Sequence, residues 1–251
     1  MKLILSLLMI CSISFAKVIN LTEANSINFN NKFDGQFVAQ KQIEAANKCY
    51  NNEGSDIYVV LYTPGGSVQA GQLFFDTVNA LPCNFHTITI FAASMGYQTV
   101  QNLKNRYILP SGVLMSHRAS LSGVRGEIGG ELDSIMDFFK QNVKELETTA
   151  STRVGITLED YQKAISDELW MTGNQSVELN HADEVILAKC DKNFNGSYTQ
   201  VFMSFFGAVE VEFSNCPLIV APLRVRSGNV EVVKHVRDFY TNIHNYVTLE
   251  L

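Results

Sequence analysis

The sequence has no basic stripe. Its 19 lysines and arginines face 25 aspartates and glutamates, leaving a formal net charge of −6 over 251 residues, which argues against nucleic acid as a partner. It also lacks an apolar run of the roughly 20 residues that a membrane-spanning helix needs; the run from Leu3 to Phe15 is shorter. Gly123, Gly126 and Gly129 recur every third residue. No Gly-Lys-Ser/Thr accompanies them, so a phosphate loop is excluded. None of the histidines is spaced with cysteines or carboxylates as metal ligands are. No cofactor is expected. What is present is a globular composition, 46% hydrophobic and 18% charged, long enough for one sizeable domain with or without an extension.

The N-terminus has its own pattern. Lys2 precedes the apolar run, and Ser14 and Ala16 put small residues at both cleavage-determining positions before Lys17. Residues 1–16 therefore read as a secretory signal peptide, with an uncleaved anchor as the competing reading. Cys11 would suit a lipoprotein signal, but Ile10 is bulky where such sites want a small residue. An exported chain then keeps Cys49, Cys83, Cys190 and Cys216, an even number that permits two disulfides. Three pairings are open. Sequence proximity favours Cys49–Cys83 and Cys190–Cys216, against the alternative that some are small buried apolar residues. The expected location is periplasmic or secreted.

Strand and helix patterns alternate through residue 187, which predicts an α/β fold of βαβ repeats around a largely parallel sheet. Helical spacing covers Gln36 to Tyr50, and a buried strand follows at Ile57–Tyr62. Thr63-Pro64-Gly65-Gly66-Ser67 leads into a helix from Val68 to Leu81, with Ser67 as its N-cap. Thr87–Phe91 is a further buried strand, and Gly96 to Leu103 can run as a helix. Two short strands, Arg106–Leu109 and Val113–Met115, flank Pro110-Ser111-Gly112. Glu131 to Ser151 is the strongest helix. Its stripe of Ile128, Leu132, Ile135, Met136, Phe139, Val143 and Leu146 is expected to be buried on its own domain. Thr157 caps another helix, and Glu184–Leu187 is a last core strand. The texture changes after Cys190: residues 17–190 are read as one domain, and 191–251 as a β-rich extension without chemistry, its end from Asp238 polar and frayed.

Acyl transfer by serine needs a hydroxyl, a base and donors for the oxyanion. Ala92-Ala93-Ser94-Met95-Gly96, between strand and helix, can hold one serine at a sharp corner. The alternative is that Ser94 merely caps the helix. His117, at the end of a strand 23 residues on, is the candidate base, although a lone histidine after a strand is often structural. Gly66 and Met95 offer backbone N–H groups for the oxyanion.

These residues reach a family. The run Tyr62–Gly71 resembles the Ser-Pro-Gly-Gly-Ser-Val-x-Ala-Gly segment of the ClpP peptidases. Ala92–Gly96 matches that family's Ala-Ala-Ser-Met-Gly nucleophile turn. Leu109-Pro110 with Val113–His117 resembles its Leu-Pro-Asn-Ser-x-x-Met-x-His segment, and Trp170–Gly173 with Ala182–Ile186 its Phe-Leu-Ser-Ala and Gly-Leu-Val-Asp end. The resemblance covers residues 25–190. It implies a serine endopeptidase acting on peptides or unfolded segments, with Ser94 as nucleophile, His117 as general base, and Gly66 and Met95 at the oxyanion hole. Aligning Phe-Leu-Ser on Trp170-Met171-Thr172 puts Glu168, not aspartate, at the third position of the triad, with Asp167 as the alternative. The resemblance also implies a homo-oligomeric ring that stacks through the long helix. A signal peptide and the lack of an ATP-binding motif depart from a family that works with ATP-driven unfoldases, so ATP-independent cleavage without an ATPase partner is expected. The alternatives are a catalytically inactive scaffold or binding protein, favoured by the Glu168 departure, and an acyl-CoA enzyme of the crotonase type, which shares the fold.

Overall fold

A computed structural model describes residues 17–121, 127, 129–204 and 207–245. The signal-peptide reading of residues 1–16, most of the glycine-rich segment at 122–130 including Ile128, and the end of the chain from residue 246 lie outside the described residues.

In chain order the elements are β1 (Val18–Leu21), β2 (Ser26–Phe29), α1 (Gly35–Asn51), β3 (Asp56–Thr63), α2 (Val68–Asn79), β4 (Asn84–Ala93), α3 (Met95–Asn102) and β5 (Arg106–Ser116). They continue with α4 (Glu131–Val154), α5 (Leu158–Ala164), β6 (Leu169–Thr172), α6 (Gly173–Glu178), β7 (Glu184–Val185), β8 (Leu187–Cys190), β9 (Ser197–Ser204), β10 (Gly207–Ser214), β11 (Arg224–Arg226) and α7 (Val230–Asn245). The central sheet has the order β2-β3-β4-β5-β6, parallel except for antiparallel β6, with β7 also paired to β5. The α/β fold with a largely parallel sheet is thus as the alternation of patterns predicts. The two short strands around Pro110-Ser111-Gly112 are one element, β5, whose pairing with β4 shifts register between Thr89 and Phe91. Gly112 sits where a Cβ would lie 2.7 Å from the Thr89 carbonyl oxygen, so the absence of a side chain lets the two strands stay together through the shift.

Alternation along β3 shows why both faces are covered. Ile57, Val59 and Leu61 point to one face and pack with Phe29, Phe37 and Phe74, residues of β2, α1 and α2. Val60 points to the other face, against Ile19 and Leu21 of β1. Tyr62 joins it there, packed with Phe91, Ala93 and Met115 against Val209, Val211, Phe213, Val225 and Tyr240 of the C-terminal segment. Strands β9, β10 and β11 form their own antiparallel sheet, and α7 runs where a frayed end was expected. The helix is retained because Val232, Val233, Val236 and Tyr240 recur at helical spacing and pack on that cluster. The Tyr62 hydroxyl donates to the Tyr240 carbonyl at 2.9 Å.

The long helix α4 departs from expectation. Its buried residues are Leu146, Glu147, Ala150, Ser151 and Val154, all in its C-terminal half. In the other half Ile135 and Phe138 are exposed, Phe138 at 70%. Of the predicted stripe, Leu146 is buried, Leu132, Met136, Phe139 and Val143 are half-buried and Ile135 is exposed, so its burial is only partial; Phe138 lies off the stripe.

Two disulfides form, Cys49–Cys83 between the end of α1 and the start of β4, and Cys190–Cys216 between β8 and the segment after β10. The first closes a loop of sequence separation 34. Chain-entropy reasoning gives a bond over such a loop about 3–4 kcal/mol of stability. The double variant Cys49→Ser/Cys83→Ser is expected to unfold at correspondingly lower urea concentration, measured by circular dichroism against the oxidised parent.

Candidate active site

Strands β3, β4 and β5 are parallel neighbours, so their C-terminal ends lie side by side at one edge of the sheet. Thr63 pairs with Ala92, and Ala93 with Met115. The residues that follow each strand, Gly65-Gly66, Ser94 and His117, are therefore delivered to one place, as open parallel sheets gather ligand-binding residues beyond their strand ends.

Ser94 sits at the corner between β4 and α3 with φ 56° and ψ −116°, a backbone region that costs a non-glycine residue about 1–3 kcal/mol. Its N–H donates to the Met115 carbonyl at 2.9 Å and its carbonyl accepts from the Gln98 N–H at 3.1 Å. Its hydroxyl makes no helix-capping bond. It lies instead 2.8 Å from His117 Nε2. Ser67, by contrast, caps α2, its hydroxyl accepting from the Ala70 N–H at 3.3 Å. Gly65 packs directly on the corner: with φ +93°, a Cβ there would stand 2.6 Å from Ser94 Cβ.

Both candidate oxyanion donors are backbone groups. Met95 is the first residue of α3, so its N–H has no intrahelical acceptor. Gly66 bridges Phe33 through its neighbours: the Gly65 carbonyl accepts from the Phe33 N–H at 2.9 Å and the Ser67 N–H donates to the Phe33 carbonyl at 2.8 Å. Alternation along an extended chain directs the Gly66 N–H away from Phe33. Gly66 itself is exposed.

The candidate third member is not brought to the imidazole in the same way. Ser116 pairs with Leu169 in the β5–β6 ladder, so His117 and Glu168 leave that ladder side by side. The Glu168 carboxylate, however, accepts from the Trp170 indole N–H at 3.0 Å and is exposed. Asp167 is exposed and makes no hydrogen bond among the described residues. No carboxylate among the described residues bonds His117, and no group of three metal-ligating side chains gathers among them.

Behind the corner, buried polar contacts fix α3. The Tyr161 hydroxyl lies 2.8 Å from Ser116 Oγ, the residue before His117. The Tyr97 hydroxyl lies 2.7 Å from His181 Nδ1, and Gln101 Nε2 donates to the His181 carbonyl at 2.9 Å. Arg106 donates to Gln101 Oε1 and to both Asp183 oxygens. Burial alone would push the Asp183 carboxyl up, yet the Arg106 bonds hold it below the usual carboxylate range. Burial, aided by the Arg106 cation, pushes the His181 imidazole down to about 4.

A cleft opens beside Ser94. Val68, Met95, Gln98, Ala119, Val143, Leu146 and Glu147 line it with Ser94 and His117, around a cavity of about 30 Å³. Ala119, Val143 and Glu147 also line a second cavity of about 510 Å³ that continues toward Arg118 and Gln162. Gln98 and Glu147 went unnoticed in the sequence, because they lie on helices 49 positions apart with no motif around either.

Comparison with known proteins bears on the family and the fold. The family model described as Clp protease matches residues 17–189. The chain is 29% identical over 142 residues to the ATP-dependent Clp protease proteolytic subunit 3 of Streptomyces coelicolor, covering 55% of this chain and 64% of that one. It is 33% identical over 136 residues to the ATP-dependent Clp protease proteolytic subunit of Porphyromonas gingivalis, covering 53% and 60%. It is 32% identical over 134 residues to subunit 2 of Corynebacterium efficiens, covering 52% and 66%. The matches thus span less than two thirds of those relatives' own lengths.

The His181 environment gives a prediction about the scaffold. Its imidazole has a lower pKa folded, about 4, than the unfolded value of 6.5. The neutral form is therefore favoured by folding: this contribution is complete above about pH 6.5 and drains away as pH falls toward 4, a loss of up to about 3 kcal/mol. Urea midpoints measured from pH 7 to 4 should fall more steeply in the parent than in His181→Gln.

Proposed function

The chain belongs to the Clp protease family, and from that premise we propose that it is an exported serine endopeptidase that cleaves peptides or unfolded segments without ATP. The observation that carries the reading is the 2.8 Å separation of Ser94 Oγ and His117 Nε2 at a strained strand-to-helix corner. In the mechanism, Nε2 accepts the hydroxyl proton as Oγ attacks the scissile carbonyl. The developing oxyanion lies between the N–H groups of Gly66 and Met95. His117 then gives its proton to the leaving amine, and a water molecule, activated by the same imidazole, hydrolyses the acyl-enzyme. Glu168 is the candidate for orienting the imidazole, since it leaves the β5–β6 ladder beside His117; Asp167 is the alternative.

Two disulfides suit an oxidising compartment, which supports the exported location. Ring assembly is supported by the apolar side chains that α4 leaves uncovered, Ile135 and Phe138. The relatives named above are ATP-dependent subunits; the reading proposed here departs from them because the signal-peptide pattern points outside the cytoplasm, where ATP is not expected.

A second reading, an inactive scaffold of the same fold, is favoured by one observation: the Glu168 carboxylate sits on Trp170 and not on His117. Fluorophosphonate labelling decides between them. The active enzyme is expected to be labelled at Ser94, by mass spectrometry of the modified peptide, and Ser94→Ala to lose both labelling and peptide hydrolysis. Persistence of hydrolysis in Ser94→Ala sinks the mechanism, and a folded protein that resists labelling favours the scaffold.

Assembly has its own check. Phe138→Glu places a charge on the uncovered face of α4 and is expected to reduce the mass seen by light scattering after size exclusion, with the circular dichroism of the protomer unchanged.

A further inference from the structure

The cleft beside Ser94 contains hydrogen-bond acceptors in an otherwise apolar wall. Glu147 is only 7% exposed, which is rare for a carboxylate without a cationic partner. One of its oxygens accepts from the neutral Gln162 amide at 2.7 Å. It forms no ion pair among the described residues. Gln98 is likewise nine-tenths buried, and its Oε1 has no hydrogen-bond partner among the described residues. Its Nε2 faces the Tyr161 hydroxyl at 3.5 Å. A buried acceptor without a donor costs free energy. Gln98 Oε1 is one such acceptor, and the Glu147 carboxylate, bonded to a neutral amide and to no cation among the described residues, borders the same pocket from a different helix, next to the proposed nucleophile.

Apart from Ser94 and His117, the rest of the small cavity's lining is apolar. Val143, Leu146 and Glu147 share one face of α4. Val68 and Met95 close the near side, and Ala119 leaves room across from α4. Ala119, Val143 and Glu147 line both the small cavity and the larger one, so a long, unbranched side chain lying in the larger one along Val143 can bring its tip toward the acceptors at their shared boundary. Lysine and arginine have that build, with methylenes that pack and a head that donates. Arg118, Lys140 and Lys144 line the outer cavity and are exposed. Arg118 donates to the Gln162 carbonyl at 3.3 Å, and Lys140 pairs with Asp137 at 3.3 Å.

We propose that this pocket selects substrates carrying a lysine or arginine immediately before the cleaved bond, with Glu147 and Gln98 accepting hydrogen bonds from its head group. The inference rests on the serine-peptidase reading above and adds to it a substrate class. A site with buried acceptors discriminates strongly against an analogue that lacks the matching donors.

The test uses three fluorogenic peptides identical but for lysine, norleucine or glutamate before the scissile bond, with Ser94 labelling measured in parallel on the same preparation. The expected kcat/KM is at least about tenfold higher for lysine than for norleucine, as a charge-assisted hydrogen bond provides, and lowest for glutamate. Glu147→Gln and, independently, Gln98→Met should each shrink the lysine-to-norleucine ratio. Protein that is labelled at Ser94 yet cleaves norleucine or glutamate peptides as well as lysine peptides overturns the inference and leaves the serine mechanism standing. A ratio unchanged in Glu147→Gln also overturns it. Failure to label Ser94 overturns both. The parent's ratio decides the matter even where a variant does not fold.

Discussion

A serine held at φ 56° is the constraint around which the surrounding structure is arranged. Such a corner persists only where its neighbours over-determine it, and the neighbours are specific. Its N–H is tied to β5 through Met115 and its carbonyl to α3 through Gln98. Gly65 occupies space that no side chain could share with Ser94 Cβ. The corner also explains the choice of a parallel sheet. With β3, β4 and β5 running the same way, one register brings the glycine turn, the serine and the histidine to one edge, so their relative positions are set by ladder hydrogen bonds and not by loops. A serine on a free loop could adopt a relaxed backbone, and its hydroxyl would then have no fixed relation to Nε2.

The second face of the sheet bears on the site as well. Ala93 immediately precedes Ser94, and Met115 lies two residues before His117; both pack in the cluster with Val209, Val211 and Phe213. The C-terminal strands thus press on the strand ends that carry the proposed nucleophile and base. Trp170, whose indole N–H holds Glu168, packs against the same cluster, with its ring 6.3 Å from that of Phe91. The Cys190–Cys216 bond joins β8 to the chain just past β10, so this layer is tied covalently to the two-stranded β1–β8 sheet.

Much of this was legible in the sequence where local and tertiary preferences agree. Strands such as Ile57–Tyr62 and Thr87–Phe91 are β-branched, apolar and flanked by turn residues, as strands buried on two faces must be. Small residues on both sides of Ser94 and the glycine pair before Ser67 marked the corner, because only small residues permit such close backbone approach. The fate of an apolar stripe was less legible. Periodicity says that α4 has an apolar face, not what covers it, and the structure leaves that face only half-buried, with Ile135 exposed. The same limit hid α7, whose apolar positions, Val232, Val233, Val236 and Tyr240, are separated by lysine, histidine, arginine and aspartate. Gln98 and Glu147 were invisible for another reason: each is an ordinary polar residue on a helix, and only the packing of α3 against α4 makes them neighbours of one pocket.

The position of Glu168 follows from energies of different size. Its contact with the Trp170 indole is an exposed hydrogen bond between a carboxylate and a neutral donor, where competition from water leaves a net gain of about 1 kcal/mol. A contact with neutral His117 would gain no more, and glutamate must place one extra methylene to make it. The balance changes in the proposed reaction. When His117 takes the proton of Ser94 it becomes a cation, and a charge-assisted bond to a carboxylate is about twice as strong as a neutral one. The ladder already brings the two residues out side by side, so the exchange needs a side-chain rotation and no movement of strands. On the proposed mechanism the carboxylate therefore has its strongest call to the imidazole in the transition state, which is where stabilisation raises a rate.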